Sequence, residues 1–272
     1  MPRVDYGLLD DRFPYYRIGD GPRPLVVLPG LSDALQGAEP TRLVAELLAR
    51  YYYRPYVDGH AVWVVGRPRG MPEGFSTRDM AAEYADALGG IGPASVLGLS
   101  MGGLVAQHLA VDYPARVERL VLGAAGYRLG DGGRETIARW EAWAERGEWR
   151  EIYLDSVPHT YLGYRRWLYP PLFRAFGGAV LPEPANRSDV VVSCRACLDH
   201  DARGRLGGVG APTLVVVGAL DHFFPEAILR ETAAAIPDAR IALLGGAGHG
   251  AFEERKRRFD ATVRRFLDAD LD

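Results

Sequence analysis

Lysine is nearly missing from this chain of 272 residues, where it occurs once, at Lys256. Arginine therefore carries almost all of the basic charge. We interpret this as a composition bias rather than a binding surface, because the formal net charge is only −3. A net charge this close to zero gives no sign of a nucleic acid or an anionic membrane surface as a partner.

Cysteine is also scarce. The two cysteines, Cys194 and Cys197, are too few for a disulfide framework in a chain of this length. Their C-x-x-C spacing, with His200 three residues later, is at most half of a zinc site, because no fourth ligand is evident. We interpret both as thiols of the core or of a pocket wall, and we predict no bound metal.

Long apolar stretches are absent. No run is long enough to cross a bilayer, and residues 1–6 lack the apolar segment of a signal peptide. We therefore expect a cytoplasmic protein without a membrane partner. The sequence carries no signal of an oligomeric state.

What is present is a regular alternation of short apolar runs and helical segments. The runs cover residues 25–28, 61–65, 94–97, 117–122, 213–217 and 240–244. Continuous apolar runs of this length are typical of strands buried on both faces, and helices between them indicate parallel pairing. The predicted fold class is α/β, a mostly parallel twisted sheet with helices on both faces.

The start of the chain predicts a strand at residues 15–18, followed by a turn at Asp20-Gly21 that is typical of hairpins. Further along, Thr77 is suited to capping a helix. The alternation stops between residues 128 and 208, where helical segments rich in tryptophan and tyrosine follow one another. We therefore predict a core domain of residues 1–127 and 209–272, with residues 128–208 inserted as a helical lid.

Residues 98–103 read Gly-Leu-Ser-Met-Gly-Gly, a G-x-S-x-G motif with a strand pattern before it and a helix pattern after it. In this context Ser100 is expected on a sharp turn between strand and helix, where flanking glycines give the room that a strained backbone needs. The helix that begins there directs free N–H groups at the group that the serine attacks. This pattern predicts Ser100 as a nucleophile.

A serine nucleophile needs a base and a group that orients the base. Asp221 and His249 each follow a later predicted strand, and loops after parallel strands meet at one edge of the sheet. Asp221 is alternatively a turn or capping residue, with Asp131 and Asp199 as weaker substitutes. His249 is alternatively a plain loop residue, and its serious rival is His222.

These motifs resemble the α/β-hydrolase superfamily. Residues 98–102 match its nucleophile elbow, residues 218–221 its acid turn and residues 248–250 its histidine loop, in the order Ser, Asp, His. The resemblance covers roughly residues 15–126 and 210–270. The Gly-Leu-Ser-Met-Gly-Gly form is similar to enol-lactonases, cofactor-free haloperoxidase-esterases and meta-cleavage C–C hydrolases.

The resemblance implies an oxyanion hole formed by the backbone N–H groups of Met101 and Leu31. Family members usually carry His-Gly before the second donor, whereas this chain has Pro29-Gly30, so another group must hold that loop. Ser32 is a possible further hydroxyl donor. Two arginines in the next loop, Arg67 and Arg69, are interpreted as solvated, with carboxylate binding as the alternative.

The expected activity is hydrolysis of a small or medium, largely apolar ester or lactone by Ser100, His249 and Asp221, without a cofactor. C–C bond hydrolysis or haloperoxidase-like chemistry at the same site is the alternative, and a non-catalytic binding protein is a remote one. The expected partner is a small-molecule substrate. The residues expected to contact it are Ser32, Tyr127, Trp143, His222 and Phe223.

Overall fold

The computed structural model describes residues 3–35, 42–180 and 183–269. Within these ranges eight strands form one sheet: β1 (Val4–Leu9), β2 (Phe13–Ile18), β3 (Arg23–Leu28), β4 (His60–Val65), β5 (Ala94–Leu99), β6 (Val117–Gly123), β7 (Thr213–Gly218) and β8 (Ala239–Leu244). The strand order is β1-β2-β4-β3-β5-β6-β7-β8. The six strands β3 to β8 all pair in parallel with their neighbours among them. Strand β2 is antiparallel to both β1 and β4. The predicted fold class is confirmed.

Ten α-helices surround or follow the sheet in the described part of the chain. They are α1 (Arg42–Tyr53), α2 (Thr77–Ala87), α3 (Met101–Asp112), α4 (Asp131–Arg146), α5 (Trp149–Thr160), α6 (Arg165–Val180), α7 (Arg187–Asp199), α8 (Glu226–Ala235), α9 (Ala251–Glu254) and α10 (Lys256–Leu267). None of them is both long and apolar enough to traverse a lipid bilayer.

The central strands are mostly apolar because each one contributes to two cores. In β3, Val26 and Leu28 pack on one side of the sheet, and Leu25 and Val27 pack on the other. Successive side chains of a strand point to opposite faces, so a strand covered by helices on both faces favours apolar residues at most positions. One core includes buried residues of α2, α3 and α8, and the other includes those of α1 and α10.

The first hairpin lies earlier in the chain than the sequence predicts. β1 and β2 pair through a tight turn in which Asp10 and Asp11 have φ values of 49° and 55°. Left-handed conformations at both central positions match the twist of a hairpin, and aspartate tolerates them. The prediction of a hairpin at Asp20-Gly21 is wrong, because β2 and β3 lie on opposite sides of β4.

The cap of α2 also differs by one residue from the expectation. Ser76, not Thr77, is the N-cap: its hydroxyl accepts the Asp79 N–H at 3.2 Å, and the Asp79 carboxylate accepts the Ser76 N–H at 2.9 Å. Two orphan donors at the helix start are thereby satisfied together. Thr77 is the first helical residue, and its buried hydroxyl lies 2.8 Å from His200 Nδ1.

Four consecutive helices, α4 to α7, separate β6 from β7 in the chain. This is the segment predicted as a lid, and its function as a lid stays a prediction. Residues 1–2, 36–41, 181–182 and 270–272 of the predicted domains lie outside the described residues.

Candidate active site

Ser100 lies between β5 and α3 with φ 52° and ψ −120°. A non-glycine residue at this φ is strained, and such strain is found where a side chain must be presented from a sharp turn. The turn also brings backbones very close together. A Cβ on Gly98 would lie 2.5 Å from the Gly102 oxygen, and one on Gly102 would lie 2.0 Å from the Leu28 oxygen. The glycines of the motif are therefore required by this packing.

His249 and Asp221 reach Ser100 from two other loops at the same sheet edge. The Ser100 Oγ is 2.9 Å from His249 Nε2, and His249 Nδ1 is 2.9 Å from an oxygen of Asp221. Asp221 follows β7, and His249 follows β8. Loops after three parallel strands therefore bring the three predicted residues into one chain of hydrogen bonds.

The Asp221 carboxylate is held by its own loop. Its second oxygen accepts the backbone N–H groups of Phe223 at 2.8 Å and Phe224 at 3.0 Å, and its side chain is fully buried. The rings of these two phenylalanines lie 4.6 Å and 6.0 Å from the imidazole of His249. A buried carboxylate with these partners fixes the orientation of the imidazole.

The loop after β3 passes directly beside Ser100. A Cβ on Gly30 would lie 3.3 Å from the Ser100 Cβ. Leu31 begins a short 3₁₀-helix and Met101 begins α3, so the position of each leaves its N–H without a partner inside its own helix. Two backbone donors thus come from loops that meet at the serine, as an oxyanion hole requires.

Arg67 differs from the sequence interpretation. Its side chain is 1% exposed, so the prediction of a solvated residue is wrong. The guanidinium donates to the carbonyl oxygens of Pro29, Gly30 and Leu31. Arg69 donates to the Asp33 carboxylate at 3.1 Å, which is a carboxylate of the protein itself. Pro29 stands where family members usually carry a histidine, which indicates that another group must hold this loop. No motif or spacing in the sequence identifies Arg67 as that group.

A cavity of about 1130 Å³ opens onto Ser100 and His249. From the α4–α7 side it is lined by Leu129, Ile137, Trp140, Ile152, Val157 and Cys197, together with Phe223 and Phe224. From the β1–β2 side it is lined by Tyr6, Tyr15, Tyr16, Tyr52 and Glu253, among others. Helices α5 and α6 and the connector between them also line the cavity with hydroxyl groups, those of Tyr153, Ser156, Thr160, Tyr161 and Tyr169. The apolar part of the wall is therefore formed by Leu129, Ile137, Ile152 and their apolar neighbours, and the rest of the wall carries hydroxyl and carboxylate groups.

The structure brings two of the five predicted substrate contacts to this cavity. Ser32 and Phe223 line it, but Tyr127, Trp143 and His222 do not. The Tyr127 hydroxyl donates to Glu231 at 2.9 Å, and Trp143 packs beneath the guanidinium of Arg139. These placements correct the sequence expectation for the two aromatic residues.

His222 is also drawn away from the cavity. Its ring stacks on that of His159 in α5, with centroids 4.2 Å apart, and its Nε2 lies 2.9 Å from the Thr136 hydroxyl. Burial lowers the pKa of both histidines, so they are neutral at neutral pH. His222 therefore joins the acid loop to the helical segment instead of contacting the cavity.

The two cysteines are free and buried. Burial raises the pKa of the Cys197 thiol to about 12 and that of Cys194 well above its usual range, so both are protonated. Among residues 3–35, 42–180 and 183–269, no cluster of three or more histidine, cysteine or acidic side chains is arranged to hold a metal.

A sequence model of the alpha/beta hydrolase family matches residues 25–262, so the chain belongs to that family. The predicted superfamily and the prediction of a hydrolase are both confirmed. The polyketide synthase ThaQ of Burkholderia thailandensis is 29% identical over 279 aligned positions, which cover 94% of this chain. The chain spans only 12% of the length of that protein.

One further sequence relative and one solved structure match over most of their own length. A pimeloyl-[acyl-carrier protein] methyl ester esterase of Neisseria meningitidis is 28% identical over 66% of this chain and 70% of that protein. The crystal structure of an enol-lactonase from Burkholderia xenovorans LB400 superposes with a TM-score of 0.77 at 23% identity. That superposition covers 97% of this chain and all of the enol-lactonase. At this identity the structural likeness supports the fold alone.

Proposed function

We propose that the protein is a serine hydrolase that cleaves a small or medium, largely apolar carboxylic ester or lactone through an acyl-enzyme on Ser100. The observation that carries the proposal is the pair of 2.9 Å contacts that link Ser100 to His249 and His249 to Asp221. A hydroxyl, an imidazole and a buried carboxylate in this order are the parts that acyl transfer needs.

In the proposed reaction, His249 Nε2 takes the Ser100 proton as the serine oxygen attacks the carbonyl carbon. The negative charge that develops on the carbonyl oxygen is stabilised by the N–H groups of Leu31 and Met101. His249 then returns the proton to the leaving oxygen, which departs and leaves the acyl group on Ser100. A water molecule, deprotonated by His249, attacks the acyl carbon and releases the acid.

The lining of the cavity supports an apolar acyl group. Leu129, Ile137 and Ile152 line the same cavity as Ser100 and offer no polar partner to a substrate. An acyl chain in that half is removed from water, which stabilises it by about 0.8 kcal/mol per methylene. The leaving alcohol is assigned to the half nearer β1 and β2, where tyrosine hydroxyls line the wall. Helices α4 to α7 are proposed to act as the lid that encloses the acyl half.

The names of the two relatives with defined reactions fit this proposal. One is called a methyl ester esterase and the other an enol-lactonase, and both reactions attack a carboxylic ester carbonyl. Only this shared attack on an ester carbonyl is proposed for this chain, and the substrates named for those proteins are not.

The test combines active-site labelling with a substrate panel. Wild-type protein is expected to react with a fluorophosphonate probe, and Ser100→Ala is expected not to. Equal labelling of the two proteins, or no labelling of wild type, contradicts the serine hydrolase. In a panel of p-nitrophenyl esters, lactones and vinylogous diketones, the highest kcat/KM is expected for esters or lactones. A preference for the diketones would instead assign C–C bond hydrolysis to the same residues.

A further inference from the structure

Arg67 is a buried cation bound to three consecutive backbone carbonyls. Its Nη1 donates to the Pro29 oxygen at 3.0 Å, and its Nη2 donates to the oxygens of Gly30 at 2.8 Å and Leu31 at 3.3 Å. The carboxylate of Asp33 lies 3.7 Å from the guanidinium and also accepts the Arg67 backbone N–H. Burying a guanidinium costs free energy unless it is hydrogen-bonded. The carbonyl groups that Arg67 binds are therefore the groups whose positions it stabilises.

The Gly30 carbonyl and the Leu31 N–H belong to the same peptide unit. In a planar trans peptide these two groups point in opposite directions. Because Arg67 binds the carbonyl, the Leu31 N–H is directed away from Arg67. Gly30 itself lies against Ser100, so the loop is fixed at the place where the proposed oxyanion forms.

The positive charge of Arg67 also strengthens the Leu31 N–H as a hydrogen-bond donor. A positive charge on the carbonyl oxygen polarises the peptide and makes its N–H a better hydrogen-bond donor, as happens in chains of hydrogen bonds. The effect is large in a buried environment because water does not screen the charge there. A transition state with negative charge on oxygen gains more from this donor than a neutral substrate does.

We propose that Arg67 is a positioning residue for catalysis: it orients and polarises the Gly30–Leu31 peptide so that the Leu31 N–H completes the oxyanion hole. The inference rests on the proposed function. Arg67 then holds the loop after β3 in place of the usual histidine, since the side chain of Pro29 cannot form hydrogen bonds.

The alternative is that Arg67 only holds the fold together. Arg119 offers a matched control, because it is also buried and donates to the carbonyl oxygens of Phe266 and Ala269. It lies near the start of β6, at the opposite end of the sheet from Ser100. Removing its guanidinium therefore tests the loss of buried arginine–carbonyl bonds without touching the loop at Ser100.

The experiment compares Arg67→Met, Arg67→Lys and Arg119→Met for kcat, KM and thermal unfolding with a p-nitrophenyl ester. In Arg67→Met we expect kcat to fall roughly 10²–10³-fold, as for the loss of an oxyanion donor, while KM changes less than about threefold. Added guanidinium ion is expected to restore part of the lost kcat. In Arg119→Met we expect a similar loss of thermal stability with kcat within about twofold of wild type.

Arg67→Lys keeps the charge but lacks the planar fork, so an intermediate kcat is expected. This variant also decides the question if Arg67→Met does not fold. The proposal is overturned if the folded Arg67 variants retain the kcat of Arg119→Met, or if KM alone changes. Fluorophosphonate labelling of wild type tests the proposed function separately from the role of Arg67. If wild type is labelled but the Arg67 variants keep their kcat, only the role of Arg67 is rejected.

Discussion

The carboxylate of Glu254 accepts the backbone N–H of Gly163 at 2.6 Å, which joins the connector between α5 and α6 to the helix that follows His249. The same oxygen accepts the Leu162 N–H at 2.9 Å, and the other accepts the Gly248 N–H at 3.3 Å. The Gly250 N–H donates to the Thr160 oxygen at 2.8 Å. The histidine loop is therefore linked to α5 and the connector after it on both sides of His249, directly through Gly250 and by way of the Glu254 carboxylate through Gly248.

Glu254→Ala is expected to lower both activity and stability. Loss of a charged acceptor that binds three backbone donors at a half-buried position costs about 1–2 kcal/mol in the free energy of unfolding. The loosened histidine loop is expected to lower kcat roughly tenfold. Urea unfolding and ester kinetics measure the two effects. Glu226→Ala, which removes an exposed helix-surface glutamate paired with Arg230, serves as the control. Equal behaviour of the two variants would contradict the role of Glu254.

Ser100→Gly is expected to stabilise the fold while abolishing the proposed activity. The φ of 52° with ψ of −120° suits glycine and strains any residue with a Cβ, at a cost of about 1–3 kcal/mol. Ser100→Ala removes the hydroxyl but keeps the Cβ, so the difference between the two variants isolates the backbone strain. Thermal unfolding should give a higher Tm for the glycine variant. An alanine variant at least as stable as the glycine variant would show that the turn is not strained.

The strands that carry the site could be predicted because burial on both faces leaves them continuously apolar, as in β3 and β7. Ser100, Asp221 and His249 could be predicted because each follows such a strand. Their catalytic roles stay predictions until labelling tests them. The β1–β2 hairpin escaped prediction, because its turn consists of aspartates in left-handed conformations that spacing alone does not reveal.

Contacts between residues distant in sequence could not be predicted either. Arg67 lies in a glycine- and proline-rich loop that is typical of solvated segments, and only the fold brings it under the Gly30 carbonyl. Tyr127 and His222 are near Ser100 in the topology, but their side chains find Glu231 and Thr136 instead. The direction of a side chain depends on these partners, and neither periodicity nor motif spacing encodes it.

Acid is expected to unfold the protein partly through two buried histidines. Burial lowers the pKa of His108 to about 4 and that of His200 to about 3, from 6.5 in the unfolded chain. Arg205 lowers the pKa of His108 further, and His108 lowers that of His200. Since the unfolded chain takes up these protons first, stability is complete above pH 6.5 and falls as the pH falls toward 4 and 3.

His200→Gln tests this linkage by urea unfolding between pH 7 and pH 4. The variant loses some stability at pH 7 with the contact to Thr77, but its free energy of unfolding should fall less steeply. The difference in slope is expected to be roughly 1 kcal/mol per pH unit. Carboxylates contribute equally to both proteins and cancel in the comparison. Parallel curves for wild type and variant would contradict the prediction.

Ile137→Trp is expected to shorten the acyl groups that the protein accepts. Ile137 lines the apolar half of the cavity, and an indole there takes up space assigned to the acyl chain. The kcat/KM for a p-nitrophenyl octanoate should fall about tenfold or more relative to that for the acetate. Ile137→Leu, which conserves volume, should leave the ratio nearly unchanged. A parallel fall for both esters in Ile137→Trp would place the acyl group elsewhere.

The cavity runs from Ser100 to the outer edge of the sheet, where Tyr6 and Tyr15 of the first hairpin line it. The hydrogen-bonded chain at Ser100 draws on loops after β5, β7 and β8, so the hairpin contributes nothing to it. Under the proposed function, mutational libraries confined to the hairpin are expected to change the preferred leaving group without altering Ser100, His249 and Asp221. The proposed function thus predicts that selectivity for the leaving group and bond cleavage can evolve through changes in separate segments of the chain.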